Sequence, residues 1–198
     1  MSRALRALGA LGLLVGVLAG CSSDDEVAEE SVASPAGSDV GSVDTDLQPC
    51  PEQADVPAAD SDLPATVFDC FGGGTLDLSR APGVPTVLNL WASWCGPCRE
   101  ELPLVQQFAD TADDQVRVLG VASLDGATQT ASFAEDAEVT FPSAFDGDGE
   151  VMAALGINNL PYTLFLAADG SVAHVQVGPV HSLEEFEGLV AEHLGVQL

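Results

Sequence analysis

The sequence predicts an α/β fold, a central mixed β-sheet flanked by helices and preceded by a β-hairpin extension. Three observations lead there. Residues 86–92 (T-V-L-N-L-W-A) and 116–123 are nearly continuous apolar runs, the pattern of strands buried on both faces. Stretches of helical composition alternate with these runs. Near the C-terminus two more strand-like runs meet at Asp169-Gly170, a strong hairpin signal. Strand–helix alternation that ends in a hairpin gives a mixed sheet covered by helices.

Each element follows from its local chemistry. Residues 65–70 form a short strand that runs into Gly72-Gly73-Gly74, where the chain can turn back on itself. After the strand at 86–92, residues 98–108 read as a helix with Pro103 inside it, a residue expected to kink it. The strand at 116–123 leads to helices at 128–138 and 148–155. Strands at 163–166 and 171–177 flank the Asp169-Gly170 turn. Ser182 and Glu185 stand at the spacing of a capping box and open a last helix running to about Leu194.

Charge and composition divide the 198 residues before the domain begins. Residues 1–20 read as a signal peptide: Arg3 and Arg6, then an apolar run from Leu8 to Leu18 too short for a comfortable membrane span. The run ends in Leu18-Ala19-Gly20-Cys21, which fits a lipoprotein cleavage site with Cys21 acylated as the first mature residue. That places the protein on the extracytoplasmic face of a bacterial cell membrane, where disulfides persist. Residues 21–48 lack aromatics and any apolar period, and read as a disordered acidic tether. Residues 49–198 then form one domain. All 31 acidic residues follow Cys21, against Arg80, Arg99 and Arg117 and no lysine, a mature charge of −28. Nucleic acid is excluded as a partner, since phosphate recognition needs a basic footprint. Adhesion to an anionic bilayer without a lipid is disfavoured for the same reason.

The chemistry concentrates in Trp94-Cys95-Gly96-Pro97-Cys98. A Cys-x-x-Cys pair that follows a buried strand and opens a helix places its first sulfur among free backbone N–H groups, which favour the thiolate. Cys95 is therefore the nucleophile and Cys98, one turn inward, the resolving thiol. Trp94 abuts the nucleophile as part of a substrate-facing surface, and Trp91 belongs to the core. Cys50 and Cys70 are expected to form a structural disulfide, with a second redox pair as the alternative. A zinc site would have to conscript them at spacings wider than structural zinc uses. His174, His181 and His193 are scattered and read as surface residues, so no metal and no cofactor are expected.

These residues resemble a known family. Residues 89–103, from Asn89 through Trp91, the Cys95–Cys98 motif, Arg99, Glu100 and Glu101 to Pro103, are similar to the TlpA/ResA-like thiol:disulfide oxidoreductases of the thioredoxin superfamily. Val118-Leu119-Gly120-Val121-Ala122 and Leu160-Pro161-Tyr162-Thr163 fit the same family, and the resemblance spans about residues 62–196. It implies a thioredoxin-like fold and a membrane-tethered disulfide reductase of the cell envelope, monomeric, acting on protein disulfides. It also implies a membrane electron relay of the DsbD/CcdA type and apocytochrome c as a client. It makes Pro161 a cis-proline that, with Leu160, presents backbone to an extended substrate beside Gly96 and Pro97. Glu101 matches the acid kept near the buried cysteine, able to accept its proton. Asn89 departs from the buried aspartate of cytoplasmic thioredoxin.

Other readings of the motif remain. The same fold runs as a disulfide-forming oxidase or isomerase when its thiolate is more stabilised. A peroxidase of this fold needs Pro-x-x-x-Thr/Ser-x-x-Cys, and the required positions hold Leu88 or Trp91 and Ala92 or Cys95. Copper-binding modules of the SCO type use a Cys-x-x-x-Cys pair and a distal histidine. Here the spacing is one shorter and no histidine lies just before Pro161, although thiolate pairs favour Cu(I).

Overall fold

A computed structural model describes residues 40–59, 63–112 and 114–198. The signal peptide, Cys21 and the tether up to residue 39 lie outside the described residues. The strands are β1 (Val67–Asp69), β2 (Thr75–Asp77), β3 (Thr86–Trp91), β4 (Arg117–Ser123), β5 (Ser143–Asp146), β6 (Tyr162–Leu166) and β7 (Val172–Val177). The helices are α1 (Gly96–Ala112), α2 (Ala127–Asp136), α3 (Glu150–Leu155) and α4 (Leu183–Leu194).

β3 is the centre of a five-stranded sheet in the order β5-β4-β3-β6-β7. β3, β4 and β5 run parallel, β6 pairs antiparallel with β3, and β7 pairs antiparallel with β6. Every residue of β3 is buried, as a strand covered on both faces requires. Alternation then sorts its side chains. Val87 and Asn89 share a face with their partners Phe165 and Thr163 of β6. On that face α1 and α4 meet, with Phe108 stacked on Phe186 at 4.8 Å between ring centroids and Phe165 beside them at 6.2 Å. α2 closes over Trp91 through Phe133.

The structure corrects several expectations. Residues 40–48, assigned to the tether, join the fold: Val40–Ser42 is a 3-10 turn, Val40 and Leu47 are buried in the core, and Gln48 N–H donates to the Thr140 carbonyl at 2.8 Å. Two apolar side chains without a period were enough, because they fill sites prepared by other elements. β5 was not foreseen, being four residues long with no legible alternation. The helix placed at 148–155 starts at Glu150, since Gly149 adopts φ +73°, outside helical backbone. α2 ends at Asp136 instead of 138. Glu138 takes a left-handed φ of +53°, and Val139 N–H reaches back to the Ala134 carbonyl at 2.9 Å, a Schellman closure built without glycine. α1 extends beyond 98–108 at both ends and contains Pro103 on its exposed side. At α4, Ser182 Oγ accepts from Glu185 N–H at 3.1 Å, and Glu185 caps His181 N–H at 2.9 Å, one residue before the ideal capping-box partner.

Candidate active site

The β3 strand delivers the chain to the mouth of the sheet, where residues 92–95 turn into α1. Cys95 N–H donates to the Ala92 carbonyl at 3.1 Å, which closes the turn. Cys95 is the N-cap of α1. Its carbonyl accepts Arg99 N–H at 3.1 Å and its Sγ accepts Cys98 N–H at 3.2 Å. Sulfur thus occupies the place usually taken by a serine or aspartate oxygen, and a thiolate there meets an N–H and the positive end of the helix. Cys95 and Cys98 are joined by a disulfide with Cα atoms 5.3 Å apart. Cys98 is fully buried and Cys95 nearly so, whereas Trp94, Gly96 and Pro97 are exposed around them. Trp94 is 59% exposed, the largest fraction among the large apolar side chains of the described residues, and its indole N–H donates to the Leu124 carbonyl at 2.8 Å.

β6 brings the second edge. Its register against β3 pairs Leu90 with Tyr162, so Pro161 lies one residue further on, level with the end of β3 from which the cysteine turn departs. The Leu160–Pro161 peptide is cis, and both residues are buried. The Pro161 carbonyl accepts Gly178 N–H at 3.1 Å.

Beneath the disulfide lies a buried polar cluster. Glu101 is three residues after Cys98, on the same face of α1, and only 1% exposed. Its Oε1 accepts Val180 N–H at 2.9 Å and its Oε2 accepts the Asn89 amide at 3.0 Å. That amide also donates to Thr163 Oγ1 at 2.9 Å, while Asn89 Oδ1 has no partner among the described residues. Burial raises the Glu101 pKa above its ordinary value, and the Val180 and Asn89 donors oppose the shift only in part. A carboxyl so placed exchanges a proton at a pH where an exposed glutamate stays ionised.

Sequence reasoning missed the loop that follows β4. Asp125 Oδ2 accepts Ser93 N–H at 2.6 Å and Oδ1 accepts Ser93 Oγ–H at 2.9 Å. No local pattern connects residues 32 apart in the chain. Thr163 ends the Leu160-Pro161-Tyr162-Thr163 motif, yet its role as the second acceptor of Asn89 depends on sheet register.

Cys50 and Cys70 are joined by a disulfide with Cα atoms 6.0 Å apart. Cys70 makes an isolated bridge to Ala144 of β5, two strands away from β3. His181 is exposed, but His174 and His193 are half-buried and stacked at 3.8 Å with an angle of 6° between rings, which corrects the reading of all three as surface residues. Among the described residues no group of three or more His, Cys, Asp or Glu is arranged to hold a metal ion, and no helix is long and apolar enough to cross a membrane.

The family model described as Redoxin matches residues 58–190. Among curated proteins, a thiol-disulfide oxidoreductase ResA of Oceanobacillus iheyensis is 34% identical over 116 residues, 58% of this chain and 59% of that protein. The sporulation thiol-disulfide oxidoreductase A of Bacillus subtilis is 34% identical over 103 residues, covering 50% of this chain and 62% of that one. The chain thus spans less than two thirds of the length of these relatives. Among solved structures, MTB dsbF in mixed oxidised and reduced forms superposes with a TM-score of 0.60 at 31% identity, over 69% of this chain and 98% of that one. StoA from Bacillus subtilis superposes at 0.54 with 27% identity, over 62% and 96%. The fold is thioredoxin-like.

Proposed function

The chain belongs to the Redoxin family, and from that premise we propose that it is a thiol–disulfide oxidoreductase whose working pair is Cys95 and Cys98. The observation that carries this reading is the N-cap sulfur: Cys95 lies at the start of α1 with an N–H aimed at it, ringed by exposed Trp94, Gly96 and Pro97. In the reducing direction the Cys95 thiolate attacks a client disulfide, forms a mixed disulfide and releases one client thiolate. Cys98 passes its proton to the Glu101 carboxylate, attacks Cys95 Sγ and releases the second client thiolate. Two electrons move to the client, which takes up two protons as its thiolates are protonated, and the protein is left as the Cys95–Cys98 disulfide. An extended client segment docks against Trp94, Pro97 and the Leu160–Pro161 edge.

The same proposal extends to setting and direction. A signal peptide ending before Cys21 supports a lipid anchor on the extracytoplasmic face of a bacterial membrane, where the protein acts as a monomer. The resemblance of residues 89–103 to the TlpA/ResA-like reductases supports the reducing direction, electrons from a membrane relay of the DsbD/CcdA type, and envelope clients that include apocytochrome c. The reduction potential of the Cys95–Cys98 pair tests the direction. A value near about −270 mV fits a reductase, and one near about −120 mV means a disulfide donor. Cys95→Ser removes the nucleophile, so retained turnover in that variant sinks the assignment of the pair.

A further inference from the structure

The residue two before the nucleophile is gripped by side chains at its backbone N–H, its hydroxyl and its carbonyl. Ser93 N–H and Oγ–H both donate to the Asp125 carboxylate, at 2.6 and 2.9 Å, and the Ser93 carbonyl accepts Arg99 Nη1 at 3.1 Å. Arg99 in turn lies over the Phe133 ring of α2, 4.4 Å from its centroid. Asp125 is anchored in its own loop, where Oδ1 also accepts Gly126 N–H at 2.9 Å. Beside it Leu124 holds a left-handed φ of +53°, an arrangement that costs about 1 kcal/mol in a residue with a side chain. Its N–H is tied to the Asp146 carbonyl at 3.0 Å and its carbonyl takes the Trp94 indole. The β4–α2 loop is therefore strained, braced from below and bonded to the two residues that precede Cys95.

We propose that Asp125 is a positioning residue for Cys95 and that its charge keeps the Cys95–Cys98 pair reducing. The proposal rests on the reading of that pair as the redox centre. Two effects follow from one side chain. The carboxylate holds the Ser93 peptide, and with it the turn that aims Cys95 Sγ at the start of α1. Ser93 and Cys95 are within about 8 Å along the chain, so the Asp125 charge also opposes a thiolate on Cys95. A destabilised thiolate means a destabilised reduced form, and the pair gives up electrons more readily. Arg99, bonded to the Ser93 carbonyl, carries the opposite charge and limits the effect. A serine at residue 93 alone would explain neither the two bonds to one carboxylate nor the left-handed Leu124 that presents it.

The test compares Asp125→Asn with Asp125→Ala in the full chain. Asparagine keeps a hydrogen-bonding group and removes the charge, and alanine removes both. The readouts are the pH dependence of Cys95 alkylation by iodoacetamide, followed on the Cys95 peptide by mass spectrometry, and the equilibrium of the pair with glutathione. In Asp125→Asn the Cys95 titration moves to lower pH and the glutathione equilibrium shifts severalfold towards the reduced protein. Asp125→Ala loses about tenfold in exchange rate with oxidised glutathione, and asparagine restores most of it. Wild-type titration and equilibrium in Asp125→Asn overturn the proposal, even where the melting temperature falls. If alanine does not fold, the asparagine variant decides alone. A wild-type chain that fails to exchange at all marks instead the failure of the redox assignment.

Discussion

Glu101 accepts the side-chain amide of Asn89 at 3.0 Å where neither residue reaches solvent. The pair holds an ionisable group under the resolving cysteine in a place that disfavours its charge. Asn89 supplies one donor and the backbone of Val180 the other, and this limits the cost of ionisation without removing it.

The raised pKa of Glu101 gives a signed stability effect. Its pKa in the fold lies above that of the unfolded chain, so the unfolded state releases the proton first. The contribution to stability is present below the unfolded value, 4.5, and is lost as pH rises through the folded value. Glu101→Gln removes this dependence. The melting temperature of the wild type, relative to Glu101→Gln, is expected to fall as pH rises from 4 to 7. Exchange should slow by about a hundredfold, the lower range for losing a positioned proton acceptor. A pH-independent difference between the two melting curves would contradict the assignment.

Removing Cys50 and Cys70 separates structure from chemistry. Their disulfide closes a 20-residue separation between the N-terminal segment and the β1–β2 hairpin. In the chain-entropy model such a link is worth about 3 kcal/mol. The double variant Cys50→Ser with Cys70→Ser should lose about that much in urea denaturation and keep wild-type exchange through Cys95 and Cys98. Collapse of exchange in a folded double variant would make Cys50–Cys70 a second redox pair.

The His174–His193 stack makes acid unfavourable on the β7–α4 side. Burial first, and then the proximity of His193, lower the His174 pKa, while Glu192 and Gln176 raise it. With a folded pKa below the unfolded value, stability is present above the unfolded value of 6.5 and lost as pH falls through the folded one. His174→Phe keeps a ring against His193 and ends the titration. Between pH 7 and pH 5 the wild type should lose more melting temperature than this variant. Parallel curves would show that His174 does not titrate differently in the fold.

The sheet centre and the reactive motif were legible because each is a local pattern. β3 reads as a buried strand from six consecutive residues, and Cys95-Gly96-Pro97-Cys98 states its chemistry within one helical turn. The alternation of types also gave the order of β4, α2, β6, β7 and α4. What was hidden depends on contacts distant in the chain. β5 exists because β4 offers it an edge, and Val40 and Leu47 are ordered by surfaces they do not themselves encode. No local pattern marks Asp125, and only the fold sets it against Ser93. The stacking of His174 on His193 likewise requires β7 and α4 to be brought together.

The Cys98 amide that donates to Cys95 Sγ turns a structural detail into a reporter. In the disulfide its acceptor is a neutral sulfur, and once reduced Cys95 ionises it is a thiolate, a stronger acceptor. The oxidation state is thereby written into the backbone at the first turn of α1. The amide resonance of Cys98, resolved by nitrogen-15 labelling, would follow the oxidation state directly, with no dye, from within the machinery it observes.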